Sequence, residues 1–467
     1  MIENSDFLMG ADAAEVASAL SSCLEERRFA DFRLLTETIA PVDLALVFEE
    51  CPESLRPAFF RLLSKEKAAE CFVELSPEHR LALVESFTDR ELSDLLSELY
   101  IDDTVDLVEE MPASLVKRIL RASNKEDRDG INRILNYPKD SAGAIMTTEY
   151  MRLRADMTVK EALVHIRSVA LDKETIYTCY ITDDARHLIG VVSAKKLLIS
   201  ELDTRVSEIM ETGVISAQTT DDSENVAEKL ARYGLIALPV VDREMCLVGI
   251  VTVDDAMEVL RREREEDFAK MAAITPSERP YIKTSPFALF RARIPWLLLL
   301  MVSATLSSTI LNRFEALLPT VLVLFVPMLM DTGGNSGSQA SVTMIRGLSL
   351  GEVRFADVIR VIWKEIRVGV LCSVVLGIVA LGKVMLVDRL IMQNSSVTFG
   401  IAAVVALTLA ITVIMSKLIG ATLPMLASRI GLDPAVMASP FITTIVDALA
   451  LIVYFFMAQG FLTFVNK

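Results

Sequence analysis

The sequence predicts a multidomain chain: an α-helical solenoid N domain, an α/β tandem pair, a long acidic connecting helix and an all-α membrane domain of five spans. Three observations predict it. Charge and hydropathy change together near Thr284: Met1 to Lys283 carries 34 Lys+Arg against 55 Asp+Glu, a balance of −21, whereas Thr284 to Lys467 carries 13 against 8, a balance of +5. A 24-residue period runs from residue 40 to 135, and a short α/β pattern then occurs twice before the apolar part begins. The expected boundaries are 1–137 for the helical N domain, 138–258 for the α/β pair, 259–283 for the connecting helix and 284–467 for the membrane domain.

The four 24-residue units begin APVDLALVF, SKEKAAECF, TDRELSDLL and PASLVKRIL. Apolar residues recur at the ninth position (Phe48, Phe72, Leu96, Leu120), the twentieth (Phe59, Leu83, Leu107, Ile131) and the last (Leu63, Phe87, Met111, Leu135). That is helical spacing, with turns marked by Pro52, Ser76-Pro77 and Pro112. Each unit reads as two short helices that bury one face on the next unit, which is the logic of a solenoid. The third unit carries Asp102 and Asp106 on one helix face at i, i+4. Like charges so placed repel, and a divalent cation with oxygen ligands would relieve them; a solvated acidic face is the plainer alternative.

The acidic soluble part argues against nucleic acid or anionic lipid as its partner and suits a cation, although acidity also serves solubility. The six cysteines form no C-x-x-C pair and read as reduced residues of a cytosolic part. The N-terminal residues lack a basic region followed by an apolar core, so no secretory signal is expected.

After Tyr137-Pro138, the segment from Ala144-Ile145-Met146 to LIGVVSAKKLL is repeated as Glu208-Ile209-Met210 to LVGIVTVDDAM. This doubling, over roughly Ser141 to Glu258, resembles a tandem pair of CBS domains, which commonly regulate an attached channel, carrier or enzyme. In that family a Thr or Ser followed three residues later by Asp, after a Gly and two apolar residues, binds the ribose of an adenine nucleotide. The second copy has Thr252 and Asp255 after Gly249-Ile250-Val251; the first has Ser193 but Lys196. The resemblance therefore makes ATP a candidate ligand at one site. From Asp254 the chain continues as DDAMEVLRREREEDFAKMAA, a helical pattern rich in carboxylates, partly neutralised by Arg261, Arg262 and Arg264.

Five apolar spans are expected at Ile294–Leu311, Leu317–Ile345, Val368–Val387, Val397–Leu423 and Ala435–Phe464. Basic residues cluster before the first (Arg291, Arg293) and between the second and third (Arg346, Arg354, Arg360, Lys364, Arg367), so the N-terminal part is expected in the cytoplasm and the C-terminus outside. The second span contains Asp331, Asn335 and Gln339 at i, i+4, i+8 among Gly333, Gly334 and Gly337. In a membrane such residues mean close helix contact or an aqueous lining. The last span, GLDPAVMASPFITTIVDA onward, carries Asp433 and Asp447. Read as one continuous helix, it sets the two acids on one face about 21 Å apart. Asp447 at membrane depth needs an interior, a wet path or a partner. Asp433 before Pro434 also fits a helix cap.

This order of parts, with P-x-L-x-x-x-G-G-N-x-G-x-Q at Pro327 to Gln339 and G-L-D-P at Gly431 to Pro434, resembles the MgtE family of magnesium channels and transporters over essentially the whole chain. The resemblance implies a homodimer in the cell membrane with the pore between two membrane halves, Asp433 of each chain at the ion site and Asn335 lining the path. It implies that cytoplasmic Mg²⁺ holds the pore shut, bound at positions matching Asp102, Asp106, Asp255, Glu258, Glu263, Glu266 and Asp267. Glu258 stands where Asp is expected, and Arg232-Tyr233-Gly234 lacks an expected acid after Tyr.

Mg²⁺ sheds water reluctantly and is usually held through waters by one or two carboxylates, which suits these oxygen ligands. His79, His165 and His187 are scattered in the soluble part, which argues against a pore for softer metals. Two other readings stand beside the channel: a carrier coupling Mg²⁺, Mn²⁺ or Co²⁺ to another ion through Asp331 or Asp447, and a membrane-anchored adenine-nucleotide sensor. No nucleophile and base pair, P-loop or redox motif supports an enzyme.

Overall fold

The computed structural model describes residues 12–277, 281–315, 319–437 and 439–465, as two compact units, 1–260 and 261–467. The N-terminal residues read for a signal and the Leu317 start of the second expected span lie outside the described residues.

In the first unit, ten short helices stack in pairs: α1 (Ala13–Glu25), α2 (Phe29–Thr38), α3 (Pro41–Glu50), α4 (Arg56–Leu62), α5 (Lys65–Val73), α6 (Pro77–Ser86), α7 (Asp89–Leu96), α8 (Ile101–Glu110), α9 (Ala113–Ala122) and α10 (Lys125–Ile134). The pairs α3 to α10 fall in the four repeat units, and α1 with α2 adds a pair that the period did not reveal. Local chemistry starts the helices. Ser64 accepts from the Lys67 N–H, Thr88 and Glu91 form a capping box, and Pro41 and Pro77 occupy first turns, where a missing N–H costs nothing. The twentieth-position residues Phe59, Leu83, Leu107 and Ile131 are all buried. Phe59 meets Phe32 and Phe48 edge-on, which ties the first pairs together. Ion pairs 29 or 30 residues apart, Arg61 with Glu91 (2.7 Å), Arg80 with Glu110 (3.0 Å) and Arg118 with Asp89 (2.8 Å), join helices of different repeat units.

The doubled segment folds into two sheets of the same order. The first holds β1 (Tyr150–Arg154), β2 (Thr175–Thr182) and β3 (Leu188–Ser193), with α11 (Val159–Val169) crossing between β1 and β2 and α12 (Ala194–Ile199) after β3. After α13 (Val206–Ile209), the second holds β4 (Ala217–Gln218), β5 (Ala237–Val241) and β6 (Leu247–Thr252), with α14 (Ser223–Tyr233) as the crossover. In each, the first pair is parallel and the second antiparallel. The copies exchange their leading segments: Thr147 bridges Ile250 of β6, and Glu211 bridges Val191 of β3. Met146 accordingly lies on Gly249 and Met210 on Gly190, where a Cβ would overlap the sulfur. Gly234, in the stretch that departs from the family pattern, ends α14 at φ 62°, a left-handed cap that glycine adopts freely.

α15 (Val253–Met271) follows β6 directly. The second unit contains α16 (Pro286–Glu315), α17 (Thr320–Val323), α18 (Val326–Ser349), α19 (Val358–Lys383), which runs on as a π-helical stretch over Val384–Ile391, α20 (Phe399–Arg429) and α21 (Ser439–Val465). α20 is apolar nearly all round because it is central, packed by α18, α19 and α21. The glycines of α18 serve close contact: a Cβ on Gly333 would strike Thr412 of α20, and one on Gly337 would strike Ile442 of α21.

Two expectations for the spans are corrected. The second does not run from Leu317 to Ile345 as one helix; α17 and α18 divide it, and α18 extends to Ser349. The last is not continuous from Asp433 to Asp447, because Pro434–Met437 forms a single 3₁₀ turn before α21 begins at Ser439. Among the described residues, four stretches are long and apolar enough to cross a membrane: Pro286–Arg313, Phe355–Ile391, Phe399–Arg429 and Pro434–Thr463. α18 is not among them, since its polar and small residues dilute its hydropathy.

Candidate functional site: two carboxylate sites

The first site lies in the first unit, where α8 meets the start of α15. α8 presents Asp102, Asp103 and Asp106, and the first turns of α15 present Asp254, Asp255 and Glu258. Asp102, Asp106, Asp255 and Glu258, expected from sequence, thus come together. The run DDTVD places its acids on one side because the apolar residues Ile101, Val105 and Val108 bury the other. Burial, then repulsion from Asp103, Asp255, Glu174 and Glu149, pushes the Asp102 carboxyl well above the usual carboxylate range. Its Oδ1 is buried without a hydrogen-bond partner. Burial, then Asp255, raises Asp103 to about 7 against the pull of Arg80. Desolvation, then Glu258, raises Asp106 to about 6, although the residue still reaches solvent.

Burial and the same acids raise Glu174 to about 8, and burial raises Asp255 to about 6 although the Thr252 hydroxyl hydrogen-bonds its Oδ2. Sequence reasoning missed Asp103, Asp254 and Glu174. Asp103 adjoins the Asp102–Asp106 pair and was legible there; Glu174, in the loop before β2, carries no local signal. Among the described residues, no three His, Cys, Asp or Glu side chains form a ready cage for a metal ion.

The second site lies at the break between α20 and α21. Asp433 Oδ1 accepts the Ala435 N–H (2.8 Å), so the carboxylate caps the 3₁₀ turn rather than α21. That turn packs on α18, where the Ser341 hydroxyl donates to the Met437 carbonyl (3.2 Å). Asp433 Oδ2 meets Lys270 Nζ at 2.7 Å, and Glu266 Oε1 lies 2.5 Å from the same ammonium. Burial opposes the charged form of Lys270, yet these two carboxylates outweigh it and hold its pKa raised. Burial, then the charge of Asp433, raises Asp267, which accepts from the Ser349 hydroxyl at 3.4 Å. Glu263 and Glu266 lie on the same late turns of α15.

Asp331, Asn335 and Gln339 form the exposed face of α18, opposite its glycines. Asp447 is half-buried on α21, within electrostatic reach of Asp331. Lys417, unremarked in the sequence, is buried in α20 and interacts with Glu365 of α19.

Long apolar helices interrupted at Asp433, preceded by a strongly acidic unit, define a multi-pass membrane protein. Comparison with known families then narrows the class. Residues 326–457 match the MgtE family of divalent cation transporters, residues 39–140 the MgtE intracellular N domain, and residues 142–202 and 206–262 the CBS domain. The chain is 36% identical to the magnesium transporter MgtE of Thermus thermophilus over 95% of its own length and 98% of that protein's. It is 33% identical to that of Bacillus subtilis, covering 94% and 96%. A crystal structure of the cytosolic domain of the Mg²⁺ channel MgtE in complex with ATP matches with TM-score 0.50 and 37% identity, over 52% of this chain and 99% of that one. The soluble part of a magnesium transporter matches with TM-score 0.52 and 31% identity, over 54% and 99%. The chain belongs to the MgtE family.

Proposed function

We propose that this protein carries Mg²⁺ into the cell as a channel across the cytoplasmic membrane and is closed by cytoplasmic Mg²⁺. The observation that carries the reading is Asp433: a carboxylate at a helix break, in a turn packed on the polar helix α18. Magnesium transport by its relatives supports the choice of ion. The pore forms between two copies of the chain, each contributing Asp433 and the Asn335 face of α18, which is exposed in the single chain. Two facing carboxylates hold one divalent ion without trapping it. The soluble domains lie in the cytoplasm and the C-terminus outside.

Closure follows from linkage. The acids of α8 and α15 repel one another, and Mg²⁺ between them stabilises the closed arrangement over the open one. Asp102, Asp103, Asp106, Asp255 and Glu258 supply that site, with Glu263, Glu266 and Asp267 further along α15. ATP binds the second CBS copy through Thr252 and Asp255, a reading supported by the ATP complex of a relative. The chain performs no catalysis in this account.

Mg²⁺ flux in proteoliposomes, with internal Mg²⁺ varied and no other ion gradient, tests the proposal. Flux down the Mg²⁺ gradient that falls as internal Mg²⁺ rises is expected. A strict need for an H⁺ or Na⁺ gradient would instead favour a coupled carrier using Asp331 or Asp447.

A further inference from the structure

Both oxygens of Asp433 are engaged by the chain itself. Oδ1 takes the Ala435 N–H at 2.8 Å, and Oδ2 takes the Lys270 ammonium at 2.7 Å. The first bond belongs to the turn. The second comes from a different element, the last turn of α15, more than 160 positions earlier in the chain.

Several contacts hold that last turn against the bundle. Met271 packs with Ile345 of α18 and Ala435 of the 3₁₀ turn. Asp267, one turn back, accepts from Ser349 at the end of α18, and the Thr275 N–H donates to the Ala292 carbonyl of α16. Glu266, at i−4 from Lys270, aims the ammonium at 2.5 Å from its own carboxylate. The helix therefore presents a positive charge to Asp433 from a fixed position. A lysine near a helix C-terminus is also favoured by the helix dipole.

We propose that Lys270 is a tethered cation that occupies the Asp433 carboxylate while the end of α15 is docked, and that it must leave before a divalent ion can bind there. The inference rests on Asp433 being the ion site. A carboxylate paired to an ammonium has little charge left for a hydrated divalent cation, so the contact blocks the path electrostatically as well as by volume. The same acid then serves two exclusive partners, ion or lysine, and undocking of the helix exchanges them. Regulation in this scheme does not need a plug that fills the pore; one side chain suffices. Arg261, Arg262 and Arg264 on the earlier turns of α15 do not take this role, since Lys270 is the cation paired with Asp433.

The test is Mg²⁺ influx into proteoliposomes holding the full-length protein at an internal Mg²⁺ concentration that closes it. Lys270→Gln removes the charge and keeps most of the length; Lys270→Met does the same should the amide misfold; Lys270→Arg keeps the charge. We expect the neutral variants to leak about two- to fivefold above the parent, the range commanded by a partly exposed ion pair, and Lys270→Arg to close normally. Equal closure in the neutral variants overturns the proposal, and so does leakage as large in Lys270→Arg. Asp433→Asn is run alongside: loss of its flux together with normal closure of Lys270→Gln sinks the lysine alone, whereas normal flux in Asp433→Asn removes the ion site on which it rests.

Discussion

Gly420 of α20 lies so close to the Gly337 carbonyl of α18 that a Cβ at position 420 would overlap the oxygen. The two helices that frame the Asp433 turn are thus held at backbone contact. Gly420→Ala is expected to cost about 1–3 kcal/mol, since neither backbone can yield cheaply. Gly382→Ala in α19, where nothing lies within 4 Å, is expected to be neutral or to stabilise by up to about 1 kcal/mol. Thermal unfolding in detergent distinguishes them; equal midpoints would show that the α18–α20 contact is looser than described.

The acid cluster predicts a pH dependence with a definite sign. Its carboxyls have folded-state values raised to about 6 for Asp106 and Asp255, about 7 for Asp103 and about 8 for Glu174, from ordinary values near 4. A raised carboxyl stabilises the fold when protonated and loses that contribution as pH rises through its folded value. Without metal, α8 and the start of α15 should open more readily at pH 8 than at pH 5.5, measured by hydrogen exchange corrected for intrinsic rate. Mg²⁺ should abolish most of the difference at pH 8. Asp102→Asn with Glu174→Gln should reduce both effects, and protection unchanged by pH or Mg²⁺ would remove the sensor assignment.

Nucleotide binding should be one-sided. The Thr252–Asp255 pair exists only in the second copy, since Lys196 stands at the equivalent position of the first. Asp255→Ala is expected to weaken ATP binding by roughly tenfold or more, the scale of a charged hydrogen bond. Lys196→Ala should leave it unchanged. Calorimetric titration of the full chain reads both, and two equivalent sites per chain would contradict the assignment.

Much of this architecture is legible in the sequence because it is periodic. The 24-residue period places Phe59, Leu83, Leu107 and Ile131 at equivalent positions, and all four are core. The doubled Ala144–Met146 and Glu208–Met210 segments turn out to sit on each other's sheets, over Gly249 and Gly190. What was lost is non-local or ambiguous. Glu174 joins the acids only through the folding of β2 beside α8, and nothing in its own neighbourhood marks it.

The break after Asp433 is hidden in the sequence because Pro434 and Pro440 are each acceptable in a first helical turn, so neither alone signals a stop. Lys270 escaped notice for a different reason. On a helix so rich in acids and arginines, a lysine reads as a surface neutraliser, and only the fold brings it to Asp433. The repeat likewise concealed α1 and α2, whose pair packs on α3 without sharing the period.

The most direct test of the ion site is Mg²⁺ influx through Asp433→Asn in proteoliposomes at low internal Mg²⁺, with oligomeric state checked on the same preparation. The substitution keeps size and the oxygen that accepts the Ala435 N–H, so the turn should survive while the charge is lost. The account predicts that flux falls to background in a protein whose assembly and melting are unchanged; flux at the parental rate would contradict it.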